Sequence, residues 1–486
     1  MGVPWCVDRH PLSGEDFPNL PPSAYMPLHL PSDLIVSVSG LRGRVGEVLT
    51  PELVAGVASA FGAFLRSEVV EGPVLLGRDS RTSGGLFARA ATAGLQSVGT
   101  NVVDLGVVPT PTLMLAVRHH GAAGGLQLTA SHNPAVWNGI KLASAEGMFL
   151  DGEASARFRS YLTGVEPPRA AWDGLGGVTR DDEAVARHRD AILDLPYLDR
   201  GALTDRGLVV ALDCVRGAGG VIMPELLEAL GCEVHAIHAE TDGWFPRDPE
   251  PTADALAELG DLVRATGADI GLAVDPDVDR LSLVDETGAA LGEDLTLALA
   301  SAAVLSRTPG PVVTNLSTSR VVEDTASRFD TPFHRAPVGE INVARRMQAE
   351  DAVVGGEGNG GVILPALHHT RDAPAGAALI LQYLVDADMP LSRAVAEWPS
   401  YRIVKTKRDF PREALPDAYL ALSEDLSADR EDRTDGLRLA WDGRQSWLHV
   451  RPSGTEPVVR LIAEAPQEEE ARSLLARAGA VLDGVA

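Results

Sequence analysis

Short, continuous apolar runs alternate with amphipathic stretches along most of the chain, and the alternation repeats. PVLLG at 73–77 reads as a buried strand, followed by a helical pattern near 84–98 and the strand NVVDLG. PTPTLMLAVRHHG is a helix opened by prolines, and GGLQL closes the unit as a third strand running into TASHNP. A second unit has GLVVALD (207–213), the helix VIMPELLEALG, the strand CEVHAIH, a helix around 252–266 and the strand ADIGLAV, which runs into DPDVDR. A third has PVVTNL (311–316), a helix near 320–329, the strand TPFHRAPV, the helix GEINVARRMQAE and the strand DAVV, which runs into GGEGNGG.

Each unit is therefore β-α-β-α-β and ends in a polar or Gly-rich loop. Continuous apolar strands suit a sheet covered by helices on both faces. In such sheets ligands bind beyond the carboxyl ends of the strands, so three equivalent loops imply three walls of one cleft. Ahead of the first unit, Thr50-Pro51-Glu52 is a helix start: an N-cap, proline in the first turn, then an acid at the positive end. Leu53, Val57, Phe61, Phe64 and Leu65 fall on one face as core. After about residue 400 the rhythm changes: YRIVKTK, GLRLAWD, WLHVRPS and PVVRLIAEA read as strands, with helices near 412–425 and 467–482. The expected fold is α/β: three related β-α-β-α-β mixed-sheet domains and a smaller C-terminal α+β domain around one central cleft. The expected boundaries are 33–178, 179–293, 294–398 and 399–486, after a Pro-rich, aperiodic extension at 1–32.

Length agrees, because 486 residues exceed what one hydrophobic core supports. With 49 Gly and 33 Pro the chain is rich in turns without reaching a disordered composition. A net charge of −26 argues against a nucleic-acid or anionic-membrane partner. It leaves room for a small phosphorylated ligand if scattered Arg and Lys are gathered locally. Cys6, Cys214 and Cys232 have spacings of neither a disulfide framework nor a metal knuckle, which suits free thiols in a cytoplasmic protein. No run is long and apolar enough to span a bilayer, and residues 1–17 lack the pattern of a secretory signal.

The four loops carry the chemistry. TASHNP either builds a turn or presents the Ser131 hydroxyl to a cleft, with His132 beside it and an Asn138-Gly139 turn expected to fold Lys141 back toward it. DPDVDR places Asp275, Asp277 and Asp279 at alternate positions, which share a face of an extended strand. Three such carboxylates call for a cation, and all-oxygen ligation suits Mg²⁺. A solvated acidic turn is the alternative. An EF-hand would match Glu286 at its twelfth position, but Arg280 stands where it needs glycine. GGEGNGG sets Glu357 and Asn359 among five glycines, where backbone can approach a ligand or simply turn. RPSGTEP combines Arg451, Ser453, Gly454 and Thr455, with Arg460 following: the parts of a phosphate cradle, or of an ion-paired turn.

Taken together and in this order, the four loops resemble those of the α-D-phosphohexomutase superfamily, which includes phosphoglucomutase, phosphomannomutase and phosphoglucosamine mutase. The resemblance spans nearly the whole chain after residue 33 and includes SGLRGRVG and PTPT at 109–112. It implies that Ser131 carries the phosphoryl group and that Asp275, Asp277 and Asp279 bind Mg²⁺ with a phosphoserine oxygen. It further implies that Glu357 and Asn359 bind sugar hydroxyls, and that Arg451, Ser453, Gly454 and Thr455 bind phosphate. Arg42, Lys141 and Arg280 match active-site basic residues, Arg42 and Lys141 as acid/base candidates. The implied activity interconverts hexose 6-phosphate and hexose 1-phosphate, glucosamine phosphate being favoured over glucose or mannose phosphate, with a sugar bisphosphate such as glucose 1,6-bisphosphate as activator. The chain departs from many relatives at Pro276 and Val278, where they have glycine, and at Gly361, where they have histidine. The rival readings are a metal-dependent sugar-phosphate phosphatase, against which stands the absence of a second His/Asp metal cluster, and a catalytically silent phosphosugar-binding protein.

Overall fold

The computed structural model describes residues 28–37, 40–453 and 458–485. Most of the expected extension at 1–32, together with Gly454 and Thr455, lies outside the described residues.

Thr50 caps the helix Pro51–Ser67 through its side chain, which accepts from the Leu53 amide at 3.3 Å. Leu53, Val57, Phe61, Phe64 and Leu65 are all buried on it. Capping and a single apolar stripe thus decide both the start of this helix and the face it packs.

The threefold repeat holds in topology. In each unit the first strand is central: Val74–Arg78, Val209–Asp213 and Val312–Asn315. The second strand lies parallel on one side (Val102–Val107, Glu233–Ile237, Phe333–Ala336) and the third parallel on the other (Gly124–Leu128, Ile270–Val274, Val354–Glu357). Each sheet then gains a strand that the apolar pattern does not announce. Trp137–Ser144, Leu281–Asp285 and Gly361–Ile363 return antiparallel to the third strand, so each sheet is mixed. The first sheet is widened further by Ile35–Ser37, Gly40–Arg44 and Val178–Arg180. The C-terminal sheet is antiparallel throughout, ordered Arg402–Asp409, Val458–Ala465, Ser446–Pro452, Leu437–Trp441, Arg430–Asp432, and is backed by the helices Leu415–Leu426 and Glu468–Val485.

The return strands matter because they turn each loop into a hairpin tip anchored on both sides. One apolar core belongs to the first unit. A second runs through the second and third units, joined by the helices Glu293–Leu305 and Ala373–Ala387. The C-terminal sheet and helices enclose another.

Two local expectations need correction. Asn138-Gly139 is not a turn: both residues lie inside the strand Trp137–Ser144, and residues 129–136 make the reversal. Gly139 is required because a Cβ there would lie 2.5 Å from the Leu41 carbonyl oxygen of the neighbouring strand. The three aspartates also do not share a strand face. The strand ends at Val274, and the aspartates lie in a turn in which Val278 adopts φ +63°. That conformation is unfavourable for a β-branched residue. Val278 is nevertheless fully buried in the core, and Asp275 Oδ1 accepts from the Asp279 and Arg280 amides at 3.1 and 3.2 Å.

A buried imidazole joins the last domain to the third. His449 meets Ser317 Oγ through Nδ1 at 2.9 Å and the Asp435 carbonyl through Nε2 at 2.7 Å. Burial, ahead of all other causes, lowers its pKa to about 4. A histidine whose folded pKa lies below its unfolded value of about 6.5 gives stability that is present above that value and lost as pH falls toward the folded pKa. At pH 5 the loss from His449 alone is about 2 kcal/mol. Denaturant melts of the wild type and His449→Gln at pH 7 and pH 5 should show the variant losing less stability on acidification; equal losses would refute the assignment.

Candidate active site

The hairpin tips and the last domain enclose a cleft of about 1000 Å³, lined by residues of all four parts of the chain. Arg42, His132 and Lys141 come from the first, Glu250 and Arg280 from the second, Glu340, Glu357, Asn359 and Arg371 from the third, and Lys405, Lys407, Arg451 and Arg460 from the last. A chain of net charge −26 thus turns a cationic face inward.

Ser131 sits at the tip of the first loop with φ +48° and is buried. Its hydroxyl donates to Asp275 Oδ2 at 2.8 Å, and the His132 ring Nδ1 is 3.4 Å from it. The loop hangs from Arg81, a fully buried residue that the sequence reading missed. Its guanidinium pairs with Asp79 at 3.0 Å and donates to the carbonyls of Ser131 and Asn133 (2.6 Å each), Pro134 (2.8 Å) and Trp137 (2.9 Å). The fork that reads planar acceptors elsewhere here fixes a backbone. A usable signal existed, since GRDSR lies at the carboxyl end of a predicted strand, the place where ligand-side residues gather.

Ligand oxygens of Asp275, Asp277 and Asp279 lie within 4.8 Å of one another, and all three residues are buried. Asp277 Oδ2 takes Lys141 Nζ at 2.6 Å and the Thr110 hydroxyl of the PTPT segment; Asp279 Oδ2 takes Lys141 Nζ at 2.9 Å and Arg371 Nη2 at 2.8 Å. The Asp277 and Asp279 Oδ1 atoms are buried without a hydrogen bond, Arg280 Nε standing 3.7 Å from the latter. Burial, and then the two neighbouring carboxylates, raise the Asp275 pKa well above the usual range. Three buried carboxylates with two idle oxygens fit a hard divalent cation of all-oxygen preference. Burial opposes the charge on Lys141, but Asp277 and Asp279 together outweigh it and its pKa is raised. Lys141 therefore stands in the site as an ammonium paired with the triad. His132 is its opposite: burial, then Arg280 and Arg42, push it down to about 2, so its ring is neutral at physiological pH.

Glu357 is buried, with Oε1 accepting from Asn315 Nδ2 at 2.8 Å and the Gly339 amide at 3.1 Å, and Oε2 from Arg371 Nη1 at 2.7 Å. Asn359 lines the same wall, its Oδ1 accepting from the Gly361 amide at 3.3 Å. Arg280 pairs with Glu250, and Arg42 donates to Asn133 Oδ1 at 3.1 Å. On the last domain Arg451 pairs with Asp435 at 2.9 Å, and Ser453 is buried beside it. Lys407, Arg460 and Arg451 face one another across three strands, because Lys407 is in register with Arg460 and Arg460 with Arg451. Like charges in cross-strand register repel unless an anion joins them. Lys405 and Lys407 escaped the sequence reading, although KTK at alternate positions of a strand puts both on one face.

The expected absence of a second His/Asp cluster needs correction, because the structure gathers one that spacing could not reveal, with ligand atoms close enough to reach a single ion. His188, His368 and Asp372 converge although 184 positions separate His188 from Asp372. Both rings direct Nε2 at the same Asp372 Oδ2, at 2.8 and 2.7 Å, and Thr112 Oγ1 lies 2.8 Å from His188 Nδ1. This is a hydrogen-bonded tie between the helices Thr110–His119, Ala184–Leu193 and Ala373–Ala387, the last capped by Asp372.

Known proteins share this architecture. Four descriptions match in succession: phosphoglucomutase/phosphomannomutase alpha/beta/alpha domain I over residues 33–166, domain II over 187–288, domain III over 292–401, and the C-terminal domain over 404–478. The chain is 39% identical over 441 residues to a protein of Methanopyrus kandleri named a probable phosphoglucosamine mutase, covering 90% of this chain and 95% of that one. It is 38% identical over 441 residues to a phosphoglucomutase/phosphomannomutase of Thermococcus kodakarensis, with the same 90% and 95% coverage. A crystal structure of a phosphoglucomutase/phosphomannomutase family protein from Burkholderia thailandensis superposes with a TM-score of 0.81 at 24% identity, over 94% of this chain and 98% of that one, which speaks for the fold.

Proposed function

The chain belongs to the phosphoglucomutase/phosphomannomutase family, and from that premise we propose that it interconverts hexose 6-phosphate and hexose 1-phosphate, with glucosamine phosphate as the favoured substrate, through phospho-Ser131 and a sugar bisphosphate. It is a phosphohexomutase, an enzyme that shifts a phosphoryl group within one molecule. The observation that carries the residue assignment is the Ser131 hydroxyl, 2.8 Å from a carboxylate of the three-aspartate cluster and next in the chain to His132, which lines the cationic cleft.

The bond from phosphorus to Ser131 Oγ breaks as a bond to a free hydroxyl of the bound sugar phosphate forms, and the hydroxyl proton passes to a base of the cleft. The bisphosphate then presents its other end, and the transfer runs in reverse. Mg²⁺ held by Asp275, Asp277, Asp279 and a phosphoserine oxygen would supply neutralisation of charge on the moving group. The protein's own residues do the rest. Arg81 fixes the Ser131 backbone, Lys141 and Arg42 are cationic donors that can act as the acid, and neutral His132 offers a ring nitrogen near Oγ. Glu357 and Asn359 accept and orient sugar hydroxyls, while Arg280 with Arg451, Ser453, Gly454, Thr455 and Arg460 hold phosphate. Phosphate monoesters hydrolyse so slowly that acceleration by up to ~10²¹ is at stake. Positioning inside a charged, water-poor cleft is what a protein can add.

The distal phosphate gives a test that separates mutase from phosphatase chemistry. Charge-assisted hydrogen bonds contribute about 1.5–3 kcal/mol each, so Arg451→Ala should raise KM about 10- to 100-fold. It should also let more bisphosphate escape or hydrolyse, seen as dependence on added glucose 1,6-bisphosphate and as release of inorganic phosphate. Phosphorylation of Ser131 should survive, because Ser131 lies on another domain. Unchanged KM, bisphosphate dependence and phosphate release would leave RPSGTEP as an ordinary turn.

A further inference from the structure

Arg371 has no role in the proposed mechanism, yet its guanidinium lies where three acidic groups meet. Nη2 donates to Asp279 Oδ2 at 2.8 Å, Nη1 to Glu357 Oε2 at 2.7 Å, and Nε is 3.0 Å from Glu340 Oε2. Its own amide donates to Glu340 Oε1 at 3.0 Å, so backbone and side chain grip the same carboxylate. The residue is buried, and it lines the cleft wall between the metal-binding turn and the Gly-rich loop. The route of its side chain depends on a residue ten positions away in that loop's return strand. A Cβ on Gly361 would lie 2.1 Å from Arg371 Cδ and 2.8 Å from Cγ, so the arginine stem fills the space a side chain at 361 would need.

We propose that Arg371 is a positioning residue that locks the carboxylates of Asp279 and Glu357 into one constellation, and that Gly361 is glycine to let it pass. The inference rests on the assignment of Asp279 to metal and Glu357 to sugar. A carboxylate has about four acceptor sites. Asn315, the Gly339 amide and Arg371 occupy three of those on Glu357, which leaves one direction for a sugar hydroxyl. The guanidinium therefore decides which way Glu357 accepts, and it fixes one metal-side carboxylate in the same act. Lysine cannot substitute, because one ammonium on a flexible stem does not span two carboxylates as a planar fork does.

The test is a double-mutant cycle with Mg²⁺ titrations. Arg371→Lys should raise KM for the sugar phosphate and the half-saturating Mg²⁺ concentration about 10-fold each, the worth of one charge-assisted hydrogen bond per carboxylate. A role confined to stability would move neither constant in protein still folded by circular dichroism. Gly361→Ala should reproduce both shifts, since its methyl must displace the arginine. In an Arg371→Ala background, Gly361→Ala should cost less than about threefold further, whereas independent roles would make the two losses multiply. Multiplying losses, or an Arg371→Lys enzyme with both constants unchanged, overturns the proposal. Glu357→Gln serves as the control for the underlying reading. If it too leaves KM unchanged, the sugar assignment is what has failed; if it raises KM while the Arg371 and Gly361 variants do not, the positioning role alone has failed.

Discussion

Ser131→Ala is expected to lose mutase turnover by about 10⁴-fold or more, the scale seen when a covalent nucleophile is removed, while sugar-phosphate affinity stays within about threefold of the wild type. The hydroxyl is the atom that would carry the phosphoryl group, and no other hydroxyl of the loop is free to replace it. Thr129, the other hydroxyl residue of TASHNP, spends its own on Asp79 at 2.6 Å. Alanine should leave the loop standing, because Arg81 holds it by the carbonyls of residues 131, 133, 134 and 137 rather than by the serine side chain. The natural protein should be partly heavier by one phosphoryl group, mapped to the peptide containing Ser131, and the variant should lack that species. Near-normal turnover in Ser131→Ala, or phosphate mapped elsewhere, would remove the assignment.

Much of this was legible in the sequence because strand ends are. The apolar runs at 124–128, 268–274 and 351–354 announce buried strands, and the loop after each run lies at the cleft by the logic of α/β sheets. The antiparallel return strands were not legible. WNGIKLAS mixes polar and apolar residues, and its lysine is buried: Lys141 meets Asp277 and Asp279, where periodicity expects something apolar. The aspartate cluster was found for an incorrect reason, since alternation on a strand and a turn held by Asp275 Oδ1 gather the same three side chains. Arg371 and the His188–His368–Asp372 tie were invisible for a different reason. Their partners come from distant segments, Arg371 meeting Asp279 across 92 positions, and no local pattern encodes a meeting of domains.

The second large effect concerns the metal. Asp277→Asn keeps the shape of the side chain and removes one negative charge from the cluster. Turnover should fall by about 100-fold or more, if one ligand charge is worth the roughly 3 kcal/mol of a strong charge-assisted contact, with KM for the sugar phosphate changing far less. Stability offers an independent readout. Without metal, burial and then Asp277 and Asp279 raise the Asp275 pKa, while Lys141 Nζ pairs with Asp277 at 2.6 Å and with Asp279 at 2.9 Å. Asparagine removes one of the carboxylates that raise the Asp275 pKa but leaves the buried Lys141 ammonium with a single anionic partner, so the metal-free variant should melt somewhat below the metal-free wild type. Mg²⁺ at ~100 times its dissociation constant should then stabilise the wild type by about 2.7 kcal/mol and the variant by much less. The difference between the two Mg²⁺ responses is the readout, because losing a merely structural aspartate would lower the melting temperature by the same amount with or without Mg²⁺. Full activity after exhaustive chelation, or an equal Mg²⁺ response in both proteins, would show that the three aspartates hold no catalytic cation.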